Sequence, residues 1–173
     1  MSQRLQSIFF FVSAILFALL FFLPLADYLG GTNSLGEVNN NLRFFIYGVE
    51  PHPEYGGEVP SNIGKWFALP ILILAITALL LSGYLAIGLH RAIKLKDFVN
   101  LHRIARIDLV VNVAWIGLVY GFYISAIGKF VNEVTIEYKI GAFLPLAALI
   151  FVLLGATGLR KDIKKVRSTD RLR

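Results

Sequence analysis

The chain has 173 residues, of which 57% are hydrophobic and 16% charged, with a net charge of +6 and a mean hydropathy of +0.69. Soluble domains hold roughly 45–50% apolar and about 25% charged residues, so water is not the main solvent of this chain. It has no cysteine, which excludes disulfides, thiolate metal sites and a cysteine nucleophile; its basic residues flank apolar blocks, which points to membrane topology and away from nucleic acid.

A membrane span needs roughly 20 consecutive apolar residues, and the sequence holds four such blocks. The first predicts a helix over about residues 5–29, uncharged from Ile8 to Ala26. That stretch exceeds the roughly 7–15 residues of a secretory signal core, so it reads as a retained helix. Residues 30–64 then turn rich in Gly, Asn, Pro and Glu and form a loop on the outer side. Its apolar island, Leu42, Phe44, Phe45, Ile46 and Tyr47, is either a short strand or an interfacial aromatic patch, and a hairpin-like loop is expected. Pro51, Pro53, Gly56, Gly57 and Pro60 interrupt regular structure around it.

The second block predicts a helix over 66–92, opening with the interfacial aromatic Trp66 and ending in a basic flank of His90, Arg91, Lys94 and Lys96. The third predicts a helix over 104–128. Between them Ile93, Phe98, Leu101, Ile104 and Ile107 recur with a helical period that carries both helices beyond the bilayer. The fourth predicts a helix over 139–160, followed by the basic tail 160–173. Thirteen Lys and Arg residues lie on the side of the termini and the second linker, and four, Arg43, Lys65, Lys129 and Lys139, on the other. The positive-inside rule therefore places both termini in the cytoplasm. The expected fold is all-α, an antiparallel bundle of four transmembrane helices forming one domain with one longer extracytoplasmic loop.

A charge at the bilayer centre is costly, so intramembrane polar residues are the default functional candidates. Asp27 and Asp108 fall near opposite membrane surfaces, where water is expected to reach them. On the third helix Asp108, Asn112 and Trp115 share one face, which forms either a polar site in the bundle or one interhelical hydrogen bond. Gly117, Gly121 and Ser125 on that helix, and Ala78, Ser82 and Ala86 on the second, are spaced four apart. Small residues so spaced let backbones approach, and packing of the two ridges within the chain is the expected use. His90 and His102 flank the same interface and His52 lies in the outer loop, so neither haem nor zinc is expected and no cofactor is predicted. Arg91, Lys94, Lys96, Arg103, Arg106, Arg160, Lys161, Lys164, Lys165 and Arg167 form a basic surface that anchors to an anionic inner leaflet or docks a partner. No Gly-rich phosphate loop, Gly-x-Ser-x-Gly elbow, His-Glu-x-x-His pair or EF-hand loop occurs.

The opening Met-Ser-Gln-Arg-Leu-Gln-Ser-Ile at 1–8, Phe-Phe-Leu-Pro-Leu-Ala at 21–26, Gly-Ala-Phe-Leu-Pro-Leu-Ala at 141–147 and the closing segment 160–173 resemble an uncharacterised membrane-protein family of Bacteroidota, domain of unknown function 4293. The resemblance implies a four-span inner-membrane protein and brings no catalytic residues. The expected role is non-catalytic, a structural or accessory subunit packing against other membrane proteins. A small-solute transporter or channel would need Asp108, Asn112, Tyr120 and Tyr123 to line a wet path. A lipid-modifying enzyme would need His90, His102 and Asp108 to cluster.

Overall fold

The computed structural model describes residues 2–30, 41–55, 58–59, 63, 66–92, 95–130 and 134–170. Helix α1 (Ser2–Leu19) leads through Pro24 into strand β1 (Ala26–Gly30), and the hairpin β2 (Leu42–Phe45) and β3 (Gly48–Pro51) follows. Helix α2 (Leu69–Arg91) and helix α3 (Leu95–Leu118) form a hairpin. A π-helical turn (Val119–Tyr123) joins α3 to α4 (Ile124–Phe130), then come strand β4 (Val134–Tyr138) and the long helix α5 (Ile140–Asp170). Around the bundle α1 packs between α2 and α5, and α3 closes the ring against the same two helices.

Three helical stretches are long and apolar enough to cross a membrane: Leu69–Arg91, Asp97–Lys129 and Ile140–Ser168. Large apolar side chains point outward along them, including Leu80, Val110 and Ile150, each more than half exposed. An outer surface of that kind is at rest only in hydrocarbon, and the chain is accordingly a membrane protein. The apolar part of α1, Leu5–Leu19, is shorter.

The all-α expectation is corrected by a four-stranded antiparallel sheet of order β3-β2-β1-β4. The first helix stops at Leu19 and does not reach residue 29, because Pro24 has no N–H for a helix and restricts the residue before it. The residues beyond it are extended and pair with both neighbours: Asp27 opposes Arg43 on β2 and Glu137 on β4. Ala26, Tyr28, Leu42, Phe44 and Ile46 are buried, while Arg43 and Glu137 reach water. This is the period-two alternation of a sheet with one packed face. All four strands lie at one end of the bundle, opposite the termini, since β1 follows α1, β4 runs between α4 and α5, and β2 and β3 pair onward from β1.

At the other end the helices run past their apolar stretches. Helix α3 starts at Leu95, not 104, and α5 continues to Asp170, so the expected tail from 160 is a helix as far as the described residues extend. Phe98, Leu101, Ala105 and Ile163 hold these overhangs together in one cluster with Phe10, Leu85 and Val152. A second cluster, containing Phe17, Trp115, Val119 and Ile127, fills the half nearer the sheet.

Helix α5 begins in close contact with the corner between α1 and β1. A Cβ on Gly141 would lie 2.9 Å from the carbonyl carbon of Pro24 and 3.0 Å from the oxygen of Leu23, both backbone atoms that cannot swing aside. Gly141→Ala is expected to cost about 1–3 kcal/mol. Gly83→Ala, which has open space around it, should be neutral or gain up to about 1 kcal/mol from helix propensity. Thermal unfolding of both variants in detergent checks this, and equal midpoints would refute the contact.

Candidate functional site

Two buried polar centres stand out. The first lies in the sheet. The Asp27 carboxylate is 1% exposed, and it accepts hydrogen bonds from Arg43 Nε to Oδ1 at 2.8 Å and from Arg43 Nη2 to Oδ2 at 2.9 Å. His52 Nε2 stands 3.1 Å and Lys139 Nζ 3.3 Å from the same Oδ2, and Lys139 also bonds Glu137 at 2.8 Å. The backbone N–H of Glu54 donates to His52 Nδ1, so the ring carries its proton on Nε2 and donates it to Asp27. Register explains the assembly: Glu50, Arg43, Asp27 and Glu137 occupy directly opposed positions on the four successive strands. Water was expected to reach Asp27, but the sheet buries it.

Burial pushes the Asp27 carboxyl up, yet the hydrogen bonds from Arg43, Lys139 and His52, with the charge of Arg43, outweigh that and hold it below the ordinary 3.8. The hydrogen bond to Glu137, with that to Asp27, holds the Lys139 ammonium above its ordinary range. Asp27 and Lys139 are thereby kept in the charged forms that attract each other. It is a structural clamp in which each Asp27 oxygen is already occupied.

The second centre lies inside the bundle. Ser82 donates to Asp108 Oδ2 at 2.7 Å, and Ser13 Oγ lies 3.2 Å from Ser82 Oγ. Because the Ser82 proton is used on Asp108, Ser13 is the donor in that second contact. Asn112 Nδ2 reaches both Asp108 Oδ1 at 3.1 Å and the Asp108 carbonyl at 2.8 Å. Ser13, Ser82, Asp108 and Asn112 are all fully buried, so Asp108 too is shielded from the water expected at its helix end. No ion pair to Asp108 occurs among the described residues, and Asn112 Oδ1 has no hydrogen-bond partner there.

Toward the sheet the way from Asp108 is filled. Trp115 is fully buried, donates its indole N–H to the Ile71 carbonyl at 3.0 Å and meets Phe17 edge to face at 6.2 Å. The hydroxyls of Tyr120 and Tyr123 donate to the carbonyls of Ala142 and Phe67 and are not free to line a channel. Asp108, Asn112 and Trp115 thus share the bundle-facing side of α3, the first two joined to α2 and α1 through Ser82.

The ridge Ala78, Ser82 and Ala86 is buried inside the bundle, whereas Gly117, Gly121 and Ser125 face outward, and a Cβ on either glycine would meet nothing within 4 Å. The two ridges therefore do not pack on each other, as the spacing had suggested. Close approach occurs elsewhere, at Gly155 against Phe10, Gly158 against Gln6 and Gly88 against Leu101. Their partners lie far off in sequence for the first two, and spacing alone gave no sign of them. Arg91, Arg103, Arg106, Arg160, Lys161, Lys164, Lys165 and Arg167 are exposed on the end that carries the termini. Lys94 and the side chain of Lys96 lie outside the described residues, as do Lys65, Gly56, Gly57 and Pro60 of the outer loop.

A family model described as "Domain of unknown function (DUF4293)" matches residues 2–172. No curated protein matches the chain.

Asp27→Asn removes the charge that Arg43, His52 and Lys139 share. It is expected to cost about 3 kcal/mol, at the low end for a broken buried pair because Arg43 and Lys139 reach water. In the unsubstituted chain the lowered folded value makes this contribution complete above the ordinary 3.8 and lost as pH falls from there through the folded value. Thermal midpoints between pH 7 and 3 should therefore hold and then fall, while Asp27→Asn starts lower and shows a flatter acid limb.

Proposed function

The chain belongs to this family of unknown function, and from that premise we propose that it is a non-catalytic, four-span protein of a bacterial inner membrane, of Bacteroidota type, that works as a structural or accessory subunit against other membrane proteins. The fourth span is α1. Its 18 residues reach roughly 27 Å, and it packs along α2 and α5, which are long enough to cross. The end with the termini and the exposed Arg103, Arg106, Arg160 and Lys164 faces the cytoplasm, because cationic residues resist translocation.

The observation that carries this reading is the filled interior. Asp27 and Asp108 are engaged by their own chain, and Phe17, Ile71, Trp115 and Val119 pack the space between the two centres. What the molecule offers to other molecules is its flanks and its basic end. Among the flanks, the outward face of α3 and the π-helical turn combines Gly117 and Gly121 with exposed Val113, Leu118 and Phe122, a surface with both shallow and protruding positions. A transporter or channel along α3 is favoured by one observation, the unpaired Asn112 Oδ1 beside Asp108, but it requires Trp115 and Phe17 to part.

A photo-crosslinking residue at Phe122, tested in native membranes, is expected to give one discrete heavier protein species. The same probe at Leu80 on α2 should give lipid adducts only. A chain that gives no protein adduct at either position, and that stays monomeric after mild extraction, would overturn the subunit role.

A further inference from the structure

At the basic end of α2 two open grooves run along the bundle surface, one on each side of the helix. The groove between α1 and α2 measures about 350 Å³ and is lined by Ile8, Phe11, Ile87, His90 and Arg91. The groove between α2 and α3 measures about 420 Å³ and is lined by Tyr84, Ile87, Asn100, Ile104 and Arg91. They share two residues. Ile87, 60% exposed, is the ridge that divides them, and Arg91, the last residue of α2, stands at the polar end of both.

We infer that this pair of grooves binds one phospholipid with a singly charged anionic head group, its phosphate on Arg91 and one acyl chain in each groove astride Ile87. The walls are apolar where hydrocarbon surrounds them: Ile8 is 56%, Phe11 58% and Tyr84 58% exposed. The guanidinium stands at the level of the head groups, where it presents paired N–H donors to phosphate oxygens. Among the described residues Arg91 is the one Lys or Arg that lines either groove, and a cation at the head of two apolar channels matches an anionic amphiphile with two tails. A partner helix would fill one channel and leave the other, and a soluble phosphate would use neither. Asp97 also lines the polar end of the α2–α3 groove and has interactions of its own, which disfavours a head group with several negative charges. Ser7 spends its hydroxyl on the Ala86 carbonyl and so offers no donor to the other groove.

The inference rests on the membrane-embedded reading but not on any protein partner, so failure at Phe122 and failure here are separate results. The full chain is purified in mild detergent and titrated with dioleoyl phosphatidylglycerol or dioleoyl phosphatidylcholine, with retained lipid counted by native mass spectrometry and stability followed by thermal shift. Phosphatidylglycerol should be retained as one molecule per chain and raise the midpoint more than phosphatidylcholine does. Arg91→Ala should weaken retention about tenfold, and Arg91→Lys should restore part of it. Lys164→Ala, exposed on the same end but away from both grooves, should change nothing. Ile87→Trp, which keeps the cation and fills the channels, should also abolish retention, and it decides the matter if Arg91→Ala does not fold. Equal retention by Arg91→Ala, an equal loss in Lys164→Ala, or equal binding of a single-chain lysolipid or of inorganic phosphate would each overturn the site.

Discussion

No water enters the hydrocarbon layer to pair with a stray donor or carbonyl, and that constraint shapes the contacts between helices. Among the described residues five side chains donate to a backbone carbonyl of a different element or connection: Ser7 to Ala86, Tyr28 to Ile124, Trp115 to Ile71, Tyr120 to Ala142 and Tyr123 to Phe67. Four of the five are aromatic, with a large apolar body and one polar tip, so each buries surface and ends on an acceptor. Three come from α3 and its π-helical turn and reach both neighbours, α2 with the residues before it and α5. Apolar contact alone would not choose these partners, since lipid tails are as apolar as leucine. The choice is made by directed donors and by the side chains of Leu101, Phe10 and Gln6, which lie close over Gly88, Gly155 and Gly158.

The polar layer acts at a different level. Ser13 lies between Phe10 and Phe17, Ser82 between Ala78 and Leu85, and Asp108 with Asn112 between Ala105 and Trp115, and in each pair the first or second member belongs to a different apolar cluster. Three helices therefore change cluster at one height, and the residues at that height bond to one another. Hydrogen bonds of this kind in membranes contribute only about 0.6–1.7 kcal/mol each. Their larger effect is on register, because sliding any one helix by a turn would set its polar group against a phenylalanine or a methyl group and strand it.

What the sequence made legible follows from the range over which each signal acts. The helical blocks announce themselves through local composition, and the sharing of one α3 face by Asp108, Asn112 and Trp115 follows from helical spacing. Strand β1 was hidden because Leu25, Ala26, Tyr28 and Leu29 continue the apolar run of α1 without a change of composition, and only Pro24 marks the break. Alternation was present in Leu42-Arg43-Phe44-Phe45 and in Val134-Thr135-Ile136-Glu137-Tyr138, but four or five residues are a weak pattern. The Asp27 clamp was out of reach for a further reason. Residues 27, 43, 52 and 139 meet only once four strands are paired in register, and nothing local to Asp27 foretells that.

The sheet also determines how the bundle ends. Its inner face sets Tyr28, Phe44 and Ile46 on Tyr123, Ile124 and Ile127, with Phe44 and Tyr123 stacked at 6.2 Å, so the end away from the termini is closed by side chains from strands. Its other face gathers opposite charges into one row that buries Asp27 and exposes Glu50 and Glu137 at its ends, and exposed Tyr47, Tyr55, Trp66 and Tyr138 accompany the sheet and the start of α2, the residue types that settle at a membrane surface. Among the described residues the opposite end has no strand. It is closed by overlength helices that keep Phe98, Leu101 and Ile163 together beyond the apolar stretch, with Gln6 bonded to Asp162 across α1 and α5. A strand cap tolerates a short α1, since β1 takes over where that helix stops, whereas the helical end needs α3 and α5 to outrun the bilayer. The unequal helix lengths are thus the consequence of closing two ends of one bundle by two different means.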